Sequence, residues 1–145
     1  MSFENIKAIA FDADDTLWVN ETFFRDAEVA FAKHLAAYGD QDEIVQKLLD
    51  TEIKNLDTYG YGIKGFTLSM LETAHRLMGK RMNAETIDFI LNKGKQMLAE
   101  PVELLPHIEE VLDQLSKKYK LVVATKGDLL DQERKLIKSG LIDYF

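Results

Sequence analysis

The sequence contains no cysteine, only two prolines and a single tryptophan in 145 residues. Without cysteine a disulfide framework, a zinc ribbon and a thiol nucleophile are all excluded, and the composition fits a reducing compartment. Long apolar runs are also missing. No segment approaches the ~20 apolar residues a membrane span needs, and the short run around Ile9 and Phe11 ends in aspartates rather than a cleavage site. The expectation is a cytoplasmic protein with no membrane partner. Positive charge is in deficit: 18 Lys and Arg stand against 25 Asp and Glu, a net charge of −7. The average surface therefore repels nucleic acid, and a phosphate-bearing small molecule needs a local cation. What is abundant is core material, with 46% hydrophobic and 10% aromatic residues. That excludes global disorder, and the length suits one domain, or one domain carrying a large insertion.

Residues 6–11 (IKAIAF) form a nearly continuous apolar run with β-branched and aromatic members, the pattern of a parallel strand buried on both faces. A second such run, residues 120–125 (KLVVAT), leads into Lys126 and Gly127. Between them the apolar period becomes helical. Phe23, Phe24, Ala27, Ala30, Phe31 and Leu35 predict one helix over 21–38, with Gly39 placed for a left-handed C-cap. Asp40 and Glu43 have the form of a capping box for a second helix. A loop with Tyr59, Tyr61 and three glycines precedes a third helix closed by Gly79, and Asn83 is placed to cap a fourth. The aromatics of that loop read either as core anchors or as contacts to a leaving group. Pro106 suits the first turn of a further helix. Asp128 suits the cap of a last one, whose apolar residues are Leu129, Leu130, Leu136 and Ile137. The pattern predicts an α/β fold with a parallel sheet and a small helical bundle inserted between its strands.

The chemistry is concentrated in residues 12–18 (DADDTLW), directly after the first strand. Carboxyl ends of parallel strands are where open α/β folds hold their sites. Three carboxylates within four residues repel one another, so a bound cation, a shared proton or full exposure must relieve them. Alone, the triplet also fits an acidic turn whose aspartates cap backbone groups. In context, Asp12-x-Asp14-x-Thr16 after an apolar strand resembles the first motif of the haloacid dehalogenase superfamily. Leu121 to Thr125 is similar to its second motif, a hydrophobic strand ending in Thr or Ser, and Gly140-Leu141 to Tyr144-Phe145 is similar to a stretch that follows it.

The resemblance implies a Rossmann-like parallel-sheet core, incomplete within 145 residues, formed by 1–19 and 101–145, with a helical cap at 20–100. It implies hinges near 18–20 and 100–104. It implies a phosphomonoester hydrolase for a small soluble phosphate ester, working through an aspartyl-phosphate. Asp12 is then the nucleophile and Asp14 the general acid and base. Mg²⁺ is then held by the Asp12 carboxylate and the Asp14 backbone carbonyl, Thr125 and Lys126 bind the phosphoryl oxygens, and Thr16 supports the loop.

Two departures stand out. Asp15 occupies a position where the family commonly has Gly, and neither the third motif, a lysine, nor the fourth, an acidic pair, is found. Lys135 lies seven residues beyond Asp128 on a helix expected to run away from the crevice, and is therefore set aside as that lysine. Phe145 is expected not to be the natural end, and the 145-residue chain alone is expected to be inactive. The alternatives are a haloacid dehalogenase or a phosphomutase of the same fold, a phosphoacceptor signalling domain, and a non-catalytic fragment or binding module. A dehalogenase has no use for a general acid, because halide leaves without a proton. The third alternative requires an acceptor aspartate after a middle strand, where the pattern is helical. Substrate identity and oligomeric state are left open.

Overall fold

The computed structural model describes residues 5–145. Along the chain run β1 (Ala8–Phe11), α1 (Glu21–His34), α2 (Gln41–Tyr59), α3 (Ile63–Met78), α4 (Ala84–Ala99), α5 (Ile108–Ser116), β2 (Lys120–Val123) and α6 (Leu129–Lys138). They divide into two compact units, Met1–Glu21 with Pro101–Phe145, and Thr22–Glu100.

In the first unit β1 and β2 pair in parallel, with Ala8 opposite Lys120 and Phe11 opposite Val123. A parallel pair needs a long crossover connection; here the intervening helices supply it. Leu121, Leu112 of α5, Leu141 and the loop residues Ala13, Leu17 and Trp18 form the buried core, with Ile9 and Phe11 packed against it. Leu112 is fully buried, so its truncation to alanine costs about 2–5 kcal/mol. The sequence predicts a β1 buried on both faces. Instead Ala8 and Ala10 are exposed, while Ile9 and Phe11 are half-buried, because the described core lies against one face.

The second unit buries Phe31, Leu35, Ile44, Leu48, Phe66, Met70 and Ile90 in its own core. Phe66 is a core anchor, set edge-to-face on Phe24 with centroids 5.1 Å apart, whereas Tyr59 and Tyr61 are exposed. A Cβ at Gly94 of α4 would overlap the Thr67 hydroxyl of α3, so the close approach of these helices requires glycine there.

Helix ends follow the expected chemistry at some sites and depart at others. Asn83 and Asp128 cap α4 and α6, accepting from the Thr86 and Asp131 amides. Asp40 caps α2 through the Asp42 amide, but Glu43 turns to Lys47, 3.8 Å away, instead of closing a capping box. The first long helix stops early, at His34. A 3₁₀ turn over Ala36–Tyr38 takes up the chain, with the Tyr38 amide donating to the Leu35 carbonyl. Gly39 is consequently extended (φ 163°) rather than left-handed. Pro106 does not lie within α5: it precedes the helix in a tight turn whose next residue, His107, is left-handed at φ 66°. Among the described residues, no helix is long and apolar enough to cross a membrane.

Candidate active site

Parallel pairing delivers both predicted motifs to one end of the sheet. The Ala124 amide donates to the Phe11 carbonyl at 2.8 Å, extending the ladder to the residue before Asp12 and the residue before Thr125. Beyond β1 the chain coils tightly. The Leu17 amide donates to the Ala13 carbonyl, and the Asp15 amide to the Trp18 carbonyl, both at 2.8 Å. Ala13 and Leu17 are fully buried and anchor the loop, whereas Asp12 is exposed and Asp14 is half-buried. Alternation of small or apolar anchors with carboxylates thus aims the aspartates away from the core.

Asp15 explains its own departure from glycine. Its φ is 54°, in the left-handed region that Gly enters freely and Asp tolerates better than most residues. Its carboxylate then accepts from the Asn20 amide at 2.9 Å and from the Glu21 amide at 3.0 and 3.1 Å. These donors lie at the start of α1, where backbone amides otherwise lack partners. Trp18 and Leu104, in the two segments expected to act as hinges, are joined by backbone bonds. The Val19 amide donates to the Glu103 carbonyl and the Leu105 amide to the Leu17 carbonyl.

The Asp14 side chain accepts from three different side-chain donors. Its Oδ1 accepts from the Trp18 indole Nε1 at 2.9 Å and from Lys135 Nζ at 3.0 Å. Its Oδ2 accepts from the Gln132 amide Nε2 at 2.8 Å. Lys135 is therefore in the site, contrary to the expectation that α6 carries it away. Axial rise places the Cα well along the helix, but side chains on a helix lean toward its N-terminus. The long lysine stem reaches back over the first turn, also donating to Asn20 Oδ1 at 2.8 Å and lying 3.7 Å from Asp131 Oδ2.

Of the four apolar residues expected along α6, Leu136 packs against the core and the other three do not. Leu129, Leu130 and Ile137 are 72%, 48% and 61% exposed, whereas Asp131 and Gln132 are 5% and 6% exposed. Burial holds the Asp131 carboxyl above its ordinary range. Lys135 opposes that shift, Asp14 and Asp128 add to it, and Arg134 opposes it. Gln132 and Asp131 escaped the sequence reading. A signal was present, because Asp128, Asp131, Gln132 and Lys135 recur at i, i+3, i+4 and i+7, a polar stripe on one helix face.

Thr125 is half-buried, with its hydroxyl accepting from the Gly127 amide at 3.2 Å, and Lys126 is exposed. A Cβ at Gly127 would overlap the Gln132 amide, so glycine there admits the side chain that reaches Asp14. For a cation, the donors are two hard oxygens, the exposed Asp12 carboxylate and the Asp14 carbonyl, which accepts no backbone hydrogen bond from the described residues. They fit the Mg²⁺ habit of using one or two protein oxygens beside substrate phosphate and water. No cluster of three or more acidic or histidine side chains able to hold a metal occurs among the described residues.

A search of curated proteins finds no match. A haloacid dehalogenase-like hydrolase from Xanthomonas campestris is 43% identical, with a TM-score of 0.89 over 97% of this chain and 59% of its own length. A magnesium-bound hydrolase of Bacillus subtilis shares the fold at 15% identity and a TM-score of 0.61, over 98% of this chain and 63% of that one. A protein described as a predicted phosphoglycolate phosphatase, from Haemophilus somnus, shares it at 18% identity and 0.57, over 99% and 62%. 2-Haloacid dehalogenases share this fold as well. The chain thus spans under two thirds of the length of each of the three proteins compared by length. The family model for haloacid dehalogenase-like hydrolases matches residues 6–145, from the first apolar run through both motifs to Phe145. With two aspartates at the mouth of a parallel sheet and a threonine beside them, the chain belongs to the haloacid dehalogenase-like hydrolase family.

Proposed function

We propose that the protein is a Mg²⁺-dependent phosphomonoester hydrolase acting on a small soluble phosphate ester. The observation that carries this reading is the arrangement of Asp12 and Asp14: one carboxylate is exposed, and the next is fixed by three donors. An exposed carboxylate is available for attack on phosphorus. A fixed second carboxyl suits proton transfer, which demands a defined position relative to the leaving oxygen. A dehalogenase needs the first group but not the second.

In the proposed reaction an Asp12 oxygen forms a bond to phosphorus as the bond to the ester oxygen breaks, and Asp14 gives its proton to that leaving oxygen. Water then attacks phosphorus and yields a proton to Asp14, and the Asp12 carboxylate is released with inorganic phosphate. The Thr125 hydroxyl and the amides of the loops after β1 and β2 support the reading as donors for phosphoryl oxygens, with Lys126 supplying charge at the second loop. Mg²⁺, bound by the Asp12 carboxylate and the Asp14 carbonyl, would offset repulsion between nucleophile and phosphate. We read residues 20–100 as the cap of this enzyme, because α1 to α4 lie between the two motifs and form a compact unit with its own core.

The test is phosphate release from aryl and alkyl phosphates by the full-length gene product carrying this chain, with and without Mg²⁺. Metal-dependent release, abolished by Asp12→Asn, is expected. Metal-independent turnover, or an active Asp12→Asn variant, would overturn the proposal.

A further inference from the structure

We propose that Lys135 and Gln132 are positioning residues for Asp14. With the Trp18 indole they pin its carboxylate so that a single lone-pair site, on Oδ2, stays open for the proton exchanged with the leaving oxygen. The inference deepens the phosphatase reading and rests on it.

A carboxylate offers roughly four acceptor sites, two on each oxygen. Trp18 Nε1 and Lys135 Nζ fill those of Oδ1, at 2.9 and 3.0 Å, and Gln132 Nε2 takes one of Oδ2, at 2.8 Å. The protonated form carries its hydrogen on the remaining Oδ2 site. From there it passes to the ester oxygen as the phosphorus–oxygen bond breaks, leaving a carboxylate that three donors already face. The attacking water later returns a proton to the same site. Each donor is itself immobilised: Trp18 is 1% exposed and Gln132 is 6% exposed. Lys135, whose side chain is 16% exposed, is tied as well to Asn20 and Asp131.

Stability alone accounts poorly for this arrangement. The Gln132 Oε1 atom is buried without a hydrogen-bond partner among the described residues, a condition that is uncommon and unfavourable. A methionine of similar shape would pack there without that penalty. Helix α6 also buries Asp131 and Gln132 on the face that meets Asp14. Gly127 is required for Gln132 to lie where it does. Three separate features of the chain therefore defer to the contact with Asp14.

The experiment compares Gln132→Met, Lys135→Met, Lys135→Arg and Asp14→Asn, singly and combined, in the full-length gene product. Turnover is measured on alkyl and aryl phosphates. The indole N–H resonance of Trp18, assigned with Trp18→Phe, is followed in parallel. General acid catalysis contributes about 10²–10⁴-fold. Loosening the acid is expected to cost about 10- to 100-fold in kcat on alkyl phosphates, with KM nearly unchanged and a severalfold smaller loss on aryl phosphates. Gln132→Met should melt no lower than the parent, Lys135→Arg should recover part of the Lys135→Met loss, and neither methionine variant should slow Asp14→Asn further. Each should shift the indole resonance. Equal losses on both substrate types, or losses that multiply with that of Asp14→Asn, would overturn the positioning role. An unmoved indole resonance would overturn the pinning geometry itself. Absence of any phosphate release by the parent would instead defeat the phosphatase reading, leaving the pinning of Asp14 to be judged by the indole resonance.

Discussion

Replacing Asp15 separates two effects that the structure combines in one residue. Asp15 holds a left-handed backbone at φ 54°, and its carboxylate accepts the amides of Asn20 and Glu21. Alanine loses both. The missing cap bonds cost about 1 kcal/mol, and a Cβ-bearing residue without local hydrogen bonding pays about 1–2 kcal/mol for the left-handed conformation. Asp15→Ala is thus expected to destabilise by about 2–3 kcal/mol. Glycine loses the cap but enters the left-handed region freely, so Asp15→Gly should cost about 1 kcal/mol despite its greater unfolded-state entropy. The assay is urea unfolding followed by Trp18 fluorescence, because the one tryptophan lies in the same loop, 1% exposed. With a slope of about 1–3 kcal/mol per molar urea, the Ala and Gly midpoints should differ by about 0.3–2 M. Coincident midpoints would refute the backbone part of this reasoning. Wild-type stability in both variants would refute the capping part too.

Further outcomes follow from other sites. His107 is left-handed at φ 66° and its contact with Glu110 is largely exposed, so His107→Gly should stabilise by about 0.5–1 kcal/mol in the same urea assay. Gly94→Ala should destabilise by about 1–3 kcal/mol by overpacking against Thr67, and Thr67→Ala in the same chain should restore most of the loss. The raised carboxyl of Asp131 makes folding less favourable as pH rises from the ordinary carboxylate value through the raised one. Asp131→Asn should therefore flatten the pH dependence of stability over that window, with its gain confined to pH above it. An unchanged profile in denaturant melts across pH would remove Asp131 as its source.

Much of the fold was legible because periodicity is a local property. The two apolar runs appear as paired strands, and the capping side chains of Asn83 and Asp128 act where spacing puts them. What failed depended on contacts far along the chain. Gly39 stands where spacing predicts a helix cap, but the chain leaves α1 earlier, through a 3₁₀ turn. Of the apolar residues of α6, Leu136 packs against the core, but Gln132 and Lys135 also turn inward because they meet Asp14, over a hundred residues earlier. The same long-range contact brings Lys135 into the site. Axial distance along a helix does not bound the reach of a lysine that leans back along it. Both motif positions, Asp12 and Thr125, follow paired strands at one end of the sheet, so strand pattern and motif are legible locally, whereas Gln132 and Lys135 reach Asp14 through a contact that no local pattern encodes.

The most direct test of the central claim is turnover of a phosphate ester in heavy-oxygen water by the full-length gene product, with the label traced by mass in both the released phosphate and the peptide containing Asp12. An aspartyl-phosphate is opened by attack on phosphorus, so the label should appear in phosphate and be absent from the Asp12 carboxylate. Label in the Asp12 carboxylate would mean that water attacks the acyl carbon of an alkyl ester, the course of a dehalogenase, and would contradict the account.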